Sequence, residues 1–218
     1  MGSTGTLINH GVMVEVLKHG QFGYAATVDL SHEGIFTAFK SALALAETCS
    51  RHQFFSFDVD ARVANKGAFV TDVIQPIDSL TFADIQKKLI DTTNHLNIDK
   101  AIIDTWAEAK LITTCTHFIS SNGSEWNQTF SVVGKNIGAR AKSGQEIQSR
   151  STGLQLLQTG LEGLDDTLME ETAVRVATQA IELLHADECM HDTRDLILTP
   201  DQLYLQVHES VGHPLELD

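Results

Sequence analysis

The stretch LITTCTHFISSNGSEWNQTFSVVG, residues 111–134, decides the fold. Two runs rich in Thr, Ile, Val, Phe and Trp flank Asn122-Gly123, a dipeptide that accepts the positive φ angles of a tight hairpin turn. Such residues suit a half-buried pleated surface. NIGARAKSG (136–144) and QEIQSRST (145–152) carry the same pattern onward, so the region reads as an antiparallel meander.

Upstream, Thr81 and Asp84 form a capping arrangement for a helix from about Phe82 to His95. Further back, residues 12–30, VMVEVLKHGQFGYAATVDL, read as a strand pair around a turn at His19-Gly20. Ile35–Cys49 has helical spacing and is rich in Ala and Leu. QFFSFDV (53–59) reads as a sheet segment, and IQPIDS (74–79) as a turn.

Downstream, 153–164 is a Gly-containing connection. Thr167 and Glu170 match a T-x-x-E capping box, opening a helix through about His185 with a buried face of Val174, Ala177, Ile181 and Leu184. LIL (196–198) reads as a strand, and Asp201 as the N-cap of a final helix that carries His208. The expected architecture is α+β: an antiparallel β-sheet with packed helices in two sequential subdomains, 1–78 and 79–218.

The 218 residues carry 29 acidic against 15 basic side chains, a formal charge of -14, with no basic stripe. That balance argues against a nucleic-acid or anionic-membrane surface. Apolar content of 42% and a mean hydropathy of -0.06 fit a globular chain. The N-terminus lacks the charged and apolar regions of a secretory signal, its MGS reading as a start or a leftover tag, and no run suits a membrane helix. Cys49, Cys115 and Cys189 are odd in number and scattered, which suits reduced thiols in the cytoplasm.

The last eleven residues, HESVGHPLELD (208–218), hold the candidate chemistry. In the familiar H-E-x-x-H zinc motif the histidines lie four apart on one helix face, and the glutamate is the general base. Here His208 and His213 are five apart. At about 100° per residue, five steps on a regular helix separate the side chains by roughly 140°. Gly212 permits unusual backbone angles, and Pro214 disfavours helical conformation at His213. Either a one-residue π-type bulge or an ending helix would return His213 towards His208. Glu209 would then accept the proton of an attacking water. Three fixed positions, taken alone, favour solvent-exposed histidines on a terminal helix.

VHESVGHPLELD resembles the signature of the TldD/PmbA family of metallopeptidases, whose peptidase members carry H-E-x-x-x-H followed by an acidic residue and Asp, as Glu216 and Asp218 stand here. EVLKHGQFGYAATVDLS (15–31) resembles the family's early strand pair, FISSNGSEWNQT (118–129) its central hairpin, and LILTPDQLYLQVHE the approach to the motif. The resemblance implies zinc ligation by His208 and His213, general-base catalysis by Glu209, and a third ligand from a cysteine downstream of the motif. Cys49, Cys115 and Cys189 all precede it. Family chains are longer, so the C-terminal half of their fold is absent from these residues, and the chain alone is expected to be inactive. The resemblance further implies cleavage of unfolded or leader peptides by a homodimer, or by a heterodimer with a PmbA/TldE-like relative that lacks the metal motif.

The competing reading is a non-catalytic dimerisation or scaffolding module, or a truncated gene remnant. His185, Cys189 and His191 lack the paired spacing of a closed zinc site and read as structural. His32-Glu33 suits a helix start. Trp106, Trp126 and Phe130 read as packing residues.

Overall fold

The computed structural model describes residues 5–58, 60 and 62–216, with only the backbone of Asp201. Among these residues it is α+β, and the chain divides into two compact units. One comprises residues 1–77, 111–133 and 157–162; the other comprises 78–110, 134–156 and 163–218. One boundary falls between residues 77 and 78, and others fall within two long strands. The reason is strand length. β4 (Ile102–Ile119) and β5 (Glu125–Ser143) have 18 and 19 residues, against about five or six for a typical strand, so each supplies residues to both units.

In the first unit, β1 (Val12–Lys18) and β2 (Gln21–Thr27) pair antiparallel with Val14 opposite Ala25. The two turn residues, His19 and Gly20, have φ of 51° and 75°. Positive φ at both positions is the type I′ condition, whose twist matches the flanking strands. Helix α1 (His32–Cys49) starts at Ser31, whose hydroxyl accepts from the Gly34 amide at 3.1 Å. Its buried stripe is Ala38, Ala42 and Ala46, one residue per turn. These small side chains bring the helix backbone against β2 at Gly23. A Cβ placed there would lie 2.0 Å from the Ala42 carbonyl oxygen.

Two expectations in this unit are corrected. QFFSFDV forms no strand at 53–58, and Val59 lies outside the described residues. Its Phe57 amide donates to the Gly20 carbonyl at 2.9 Å, bracing the first hairpin instead. At Asn122-Gly123 only Gly123 has positive φ, 90°. Gly123 N–H donates to Ser120 O at 3.0 Å, and Ser120 N–H to Ser124 O at 2.9 Å. That is the longer loop built on a type I turn, closed by a left-handed glycine.

β3 (Lys66–Val70) pairs with residues 125–129 of β5 in parallel, so the otherwise antiparallel sheet has one parallel member. Glu162 ties the following loop together. Its carboxylate accepts from the amides of Ile74 (3.2 Å), Gln75 (2.9 Å) and Gly160 (2.9 Å) and from the Thr159 hydroxyl (2.6 Å). Those donors, the Thr159 hydroxyl foremost, hold the carboxyl well below the usual range.

In the second unit, α2 (Phe82–Leu96) has the expected reciprocal box. Thr81 Oγ1 accepts from Asp84 N–H at 3.2 Å, and Asp84 Oδ2 accepts from Thr81 N–H at 3.0 Å. β6 (Glu146–Ser151) continues the meander against β5, with Ala139 opposite Arg150. Helix α3 (Asp166–Leu183) packs on β6 and α2. Its N-cap is Asp165, which accepts from the Leu168 amide at 3.1 Å, so the expected Thr167–Glu170 box does not form. The buried face is Met169, Thr172, Ala173, Val176, Ala177 and Ala180, one step out of phase with the expectation, and Val174 is exposed.

Along β5, Ile137, Ala139 and Ala141 are buried on one face of the sheet. On the other, Trp106 of β4 lies over Gly138, the residue whose missing Cβ makes room for the indole. Trp126 stacks on Phe118 with centroids 4.9 Å apart, and Phe130 meets Phe69 at 5.2 Å, so these aromatics pack. Leu96, Ile137, Leu164 and Val176 are the largest fully buried side chains of this unit. Each contributes about 1.5–3 kcal/mol by leaving water. Among them sits a cation: Lys135 is 3% exposed, and its Nζ donates to the Gly163 carbonyl at 3.1 Å. Burial pushes its pKa down, and the nearby Asp165 charge opposes that shift.

LIL (196–198) forms no strand, because it meets no partner strand; the segment is coil and Leu196 and Ile197 are exposed. No helix among the described residues is long and apolar enough to cross a membrane.

Candidate metal centre

The final helix, α4 (Pro200–Val207), opens from Thr199, which is extended at φ -73° and ψ 158°. Pro200 takes the first helical position, where its missing N–H costs nothing. Thr199 is thus the N-cap, and Asp201 lies inside the helix rather than capping it. The physical reason is Pro200: its ring fixes helical φ one residue earlier than the expectation placed the start.

At His208 the helix widens. Residues 208–212 form a π turn, closed by the His213 amide donating to the His208 carbonyl. This five-residue bond replaces the four-residue bond of an α-helix, so a side chain five positions on returns to the same face. Of the two routes considered from the sequence, the bulge is the one present. The imidazole centroids of His208 and His213 are 4.4 Å apart.

The local causes differ in part from those expected. Gly212 has ordinary helical angles, φ -61° and ψ -64°, so its backbone freedom is not used. A Cβ there would stand 3.5 Å from His208 Nδ1, an ordinary van der Waals contact, so the position does not demand its small size either. His213 is also helical, φ -57° and ψ -42°, despite the following proline. Pro214 instead sits in a 3₁₀ turn, His213–Leu215, whose end is fixed by the Glu216 amide donating to His213 O at 3.0 Å.

One ligand atom from each of His208, Glu209 and His213 lies within 4.8 Å of the others. Among the described residues this is the group of three His, Cys, Asp or Glu side chains arranged in that way. Glu209 Oε2 is 3.7 Å from His213 Nε2, and Glu216 Oε2 is 2.8 Å from His213 Nδ1. All four side chains are exposed. Large apolar neighbours on the same segment are exposed too, Tyr204 at 67% and Val211 at 52%.

Sequence reasoning had singled out His208, Glu209 and His213, and the structure brings those three together. Glu216 was noted only as part of a resemblance; its contact with the second histidine was not foreseen. An acid three residues beyond a motif histidine, across a proline, is the signal that could have found it. Asp218 lies outside the described residues. Cys49 ends α1, Cys115 lies exposed on β4, and Cys189 is exposed after α3; none belongs to the cluster.

Solved structures share this fold. A candidate modulator of a DNA gyrase from Thermotoga maritima superposes with a TM-score of 0.62 at 19% identity, over 83% of this chain and 39% of that one. TldE from Thermococcus kodakarensis gives 0.56 at 14% identity, over 78% and 37%. A candidate modulator of DNA gyrase from Bacteroides thetaiotaomicron gives 0.52 at 13%, over 80% and 39%. At such identities the likeness is one of fold, and it is the fold the TldD/PmbA resemblance implied. The chain spans about two fifths of the length of each of these structures. No protein-family model and no curated protein matches it.

Proposed function

We propose that His208 and His213 hold a zinc ion, with Glu209 as general base, in a metallopeptidase acting on unfolded or leader peptides. The observation that carries this reading is the π turn, which brings two histidines five residues apart to a 4.4 Å ring separation. π turns of this sort are frequently found at functional sites.

The donor set suits the ion. Zinc takes imidazole nitrogen at about 2.0–2.1 Å, which places two such nitrogens roughly 3.3 Å apart in a tetrahedron. Ligand atoms within 4.8 Å of one another stand no more than about 1.5 Å from that spacing. A zinc ion here would polarise water and the peptide carbonyl. Glu209 Oε2 lies 3.7 Å from His213 Nε2, so its carboxylate stands beside a ligand, where it would take a proton from the attacking water and return it to the leaving amine. His208 and His213 orient, and Glu209 moves the proton.

Catalytic zinc sites generally use three protein ligands, and the cluster offers two histidines once Glu209 is kept as base. The resemblance assigns the third to a cysteine downstream of the motif. It also assigns the peptide-binding walls and a homodimeric or PmbA/TldE-like partner, which are proposals of the same standing. Expected behaviour for the 218 residues is weak zinc binding and little peptidase activity.

Zinc titration of the purified chain beside a His208→Ala, His213→Ala double variant tests the site. Zinc bound by the parent and lost in the double variant supports it; identical binding by both refutes it. Peptide hydrolysis in added zinc, compared with Glu209→Gln, tests the base wherever activity is measurable. Equal rates would remove Glu209 from the chemistry and favour the scaffolding reading.

A further inference from the structure

We infer that Glu216 is a positioning residue that fixes which nitrogen of His213 is free to bind a metal. The inference rests on the zinc reading above and deepens it. An imidazole presents two nitrogens, and in the neutral ring one donates while the other accepts. His213 Nδ1 lies 2.8 Å from Glu216 Oε2. An ionised carboxylate only accepts hydrogen bonds, so the proton of the neutral ring belongs on Nδ1. Its lone pair is then on Nε2. That nitrogen lies 3.7 Å from Glu209 Oε2, on the side of the proposed base.

The backbone holds this arrangement in place. Pro214 occupies the 3₁₀ turn, and the Glu216 amide closes it on His213 O at 3.0 Å. A three-residue turn stacks residue i+3 over residue i, which sets the Glu216 carboxylate beside the His213 ring. Glu216 itself leaves the helix in extended conformation, φ -77° and ψ 152°. Histidine ligands to metals are commonly oriented by a carboxylate on the other nitrogen, which fixes the tautomer and raises ligand basicity. Here the carboxylate is supplied in sequence, three residues on, and needs no other element. Among the described residues no carboxylate hydrogen-bonds to His208, so there the two histidines differ. One is oriented in advance and the other is not.

The test reads the tautomer directly. Nitrogen-15 spectra of the histidines in the metal-free full chain would be recorded at about pH 8.5, above the ordinary imidazole range, with His213→Ala assigning the signals. We expect His213 protonated at Nδ1, a loss of that preference in Glu216→Ala, and its retention in Glu216→Gln, whose amide oxygen still accepts. Zinc affinity should fall about 10- to 100-fold in Glu216→Ala and recover in Glu216→Gln. A His213 ring protonated at Nε2 in the parent chain would overturn the inference. So would nitrogen shifts that Glu216→Ala leaves unchanged. Neither outcome depends on zinc, whereas loss of zinc in the double histidine variant tests only the metal reading. Helical circular dichroism equal to the parent's confirms that each variant is folded.

Discussion

Replacing Gly23 by alanine tests how α1 sits on its hairpin. The added Cβ would meet the Ala42 carbonyl oxygen at 2.0 Å and the Ala46 amide nitrogen at 2.5 Å, both backbone atoms. No rotamer change can relieve either contact. Bringing 2.0 Å out to an ordinary 3.4 Å needs a retreat of about 1.4 Å between helix and strand, in a core packed as tightly as a crystal. That retreat uncovers the stripe Ala38, Ala42 and Ala46, which is 5% exposed or less. Overpacking costs about 1–3 kcal/mol, and the upper end applies when neither partner can move aside. At about 2–4 °C per kcal/mol for a chain of this size, a 3 kcal/mol loss lowers Tm by about 6–12 °C. Gly67→Ala is the internal control, since a Cβ in β3 there meets nothing within 4 Å. Thermal and urea unfolding followed by circular dichroism measure both. If Gly23→Ala melts within about 2 °C of the parent, or if Gly67→Ala falls as far, the close approach is not what holds the helix.

Two further predictions concern charge. Glu162→Gln should lower stability at neutral pH, because four donors lose an anionic acceptor. A carboxyl with a depressed folded pKa stabilises above its unfolded value of about 4.3 and loses that contribution as pH falls further; the two urea-unfolding curves should therefore converge in acid, and parallel curves would refute the role. Lys135→Met removes a buried amine whose pKa is lowered by burial. The unfolded chain holds that proton up to about pH 10.4 while the folded chain releases it earlier, so the parent gains stability over that interval. The advantage of Lys135→Met, whatever its sign at neutral pH, should shrink as pH rises towards that value, and a constant difference would show the amine to be unperturbed.

Much of this was readable in advance where the signal is local. His19-Gly20 marked its turn because two adjacent positive φ values need particular residues. Thr81 and Asp84 marked the start of α2 because both halves of the box are short-range bonds. The pair His208 and His213 was legible because helical geometry excludes a shared face unless the backbone changes. Failures occurred where tertiary packing chose among local equals. Asp165, Asp166 and Thr167 can each cap a helix, and packing against β6 and α2 selected Asp165. Val174 and Val176 are alike in sequence, yet only Val176 faces the core. The sequence names no element for residues 102–110, because the partner of Trp106 is the missing side chain of Gly138, more than thirty residues on. LIL and QFFSFDV have strand composition without a strand to pair with. The His213–Glu216 contact went unforeseen since Pro214 hides the turn that creates it.

The π turn has a consequence for how such a site arises and changes. In an α-helix, inserting one codon between two ligands rotates everything beyond it by about 100° and destroys the pair. At His208–Gly212 the extra residue is absorbed in a single widened turn, and the second histidine stays on its original face. The reverse edit, removal of Ser210 or Val211, would restore the four-residue interval with the α-helical bond. Insertion and deletion, which normally erase a helical site, can here interconvert two spellings of the same one.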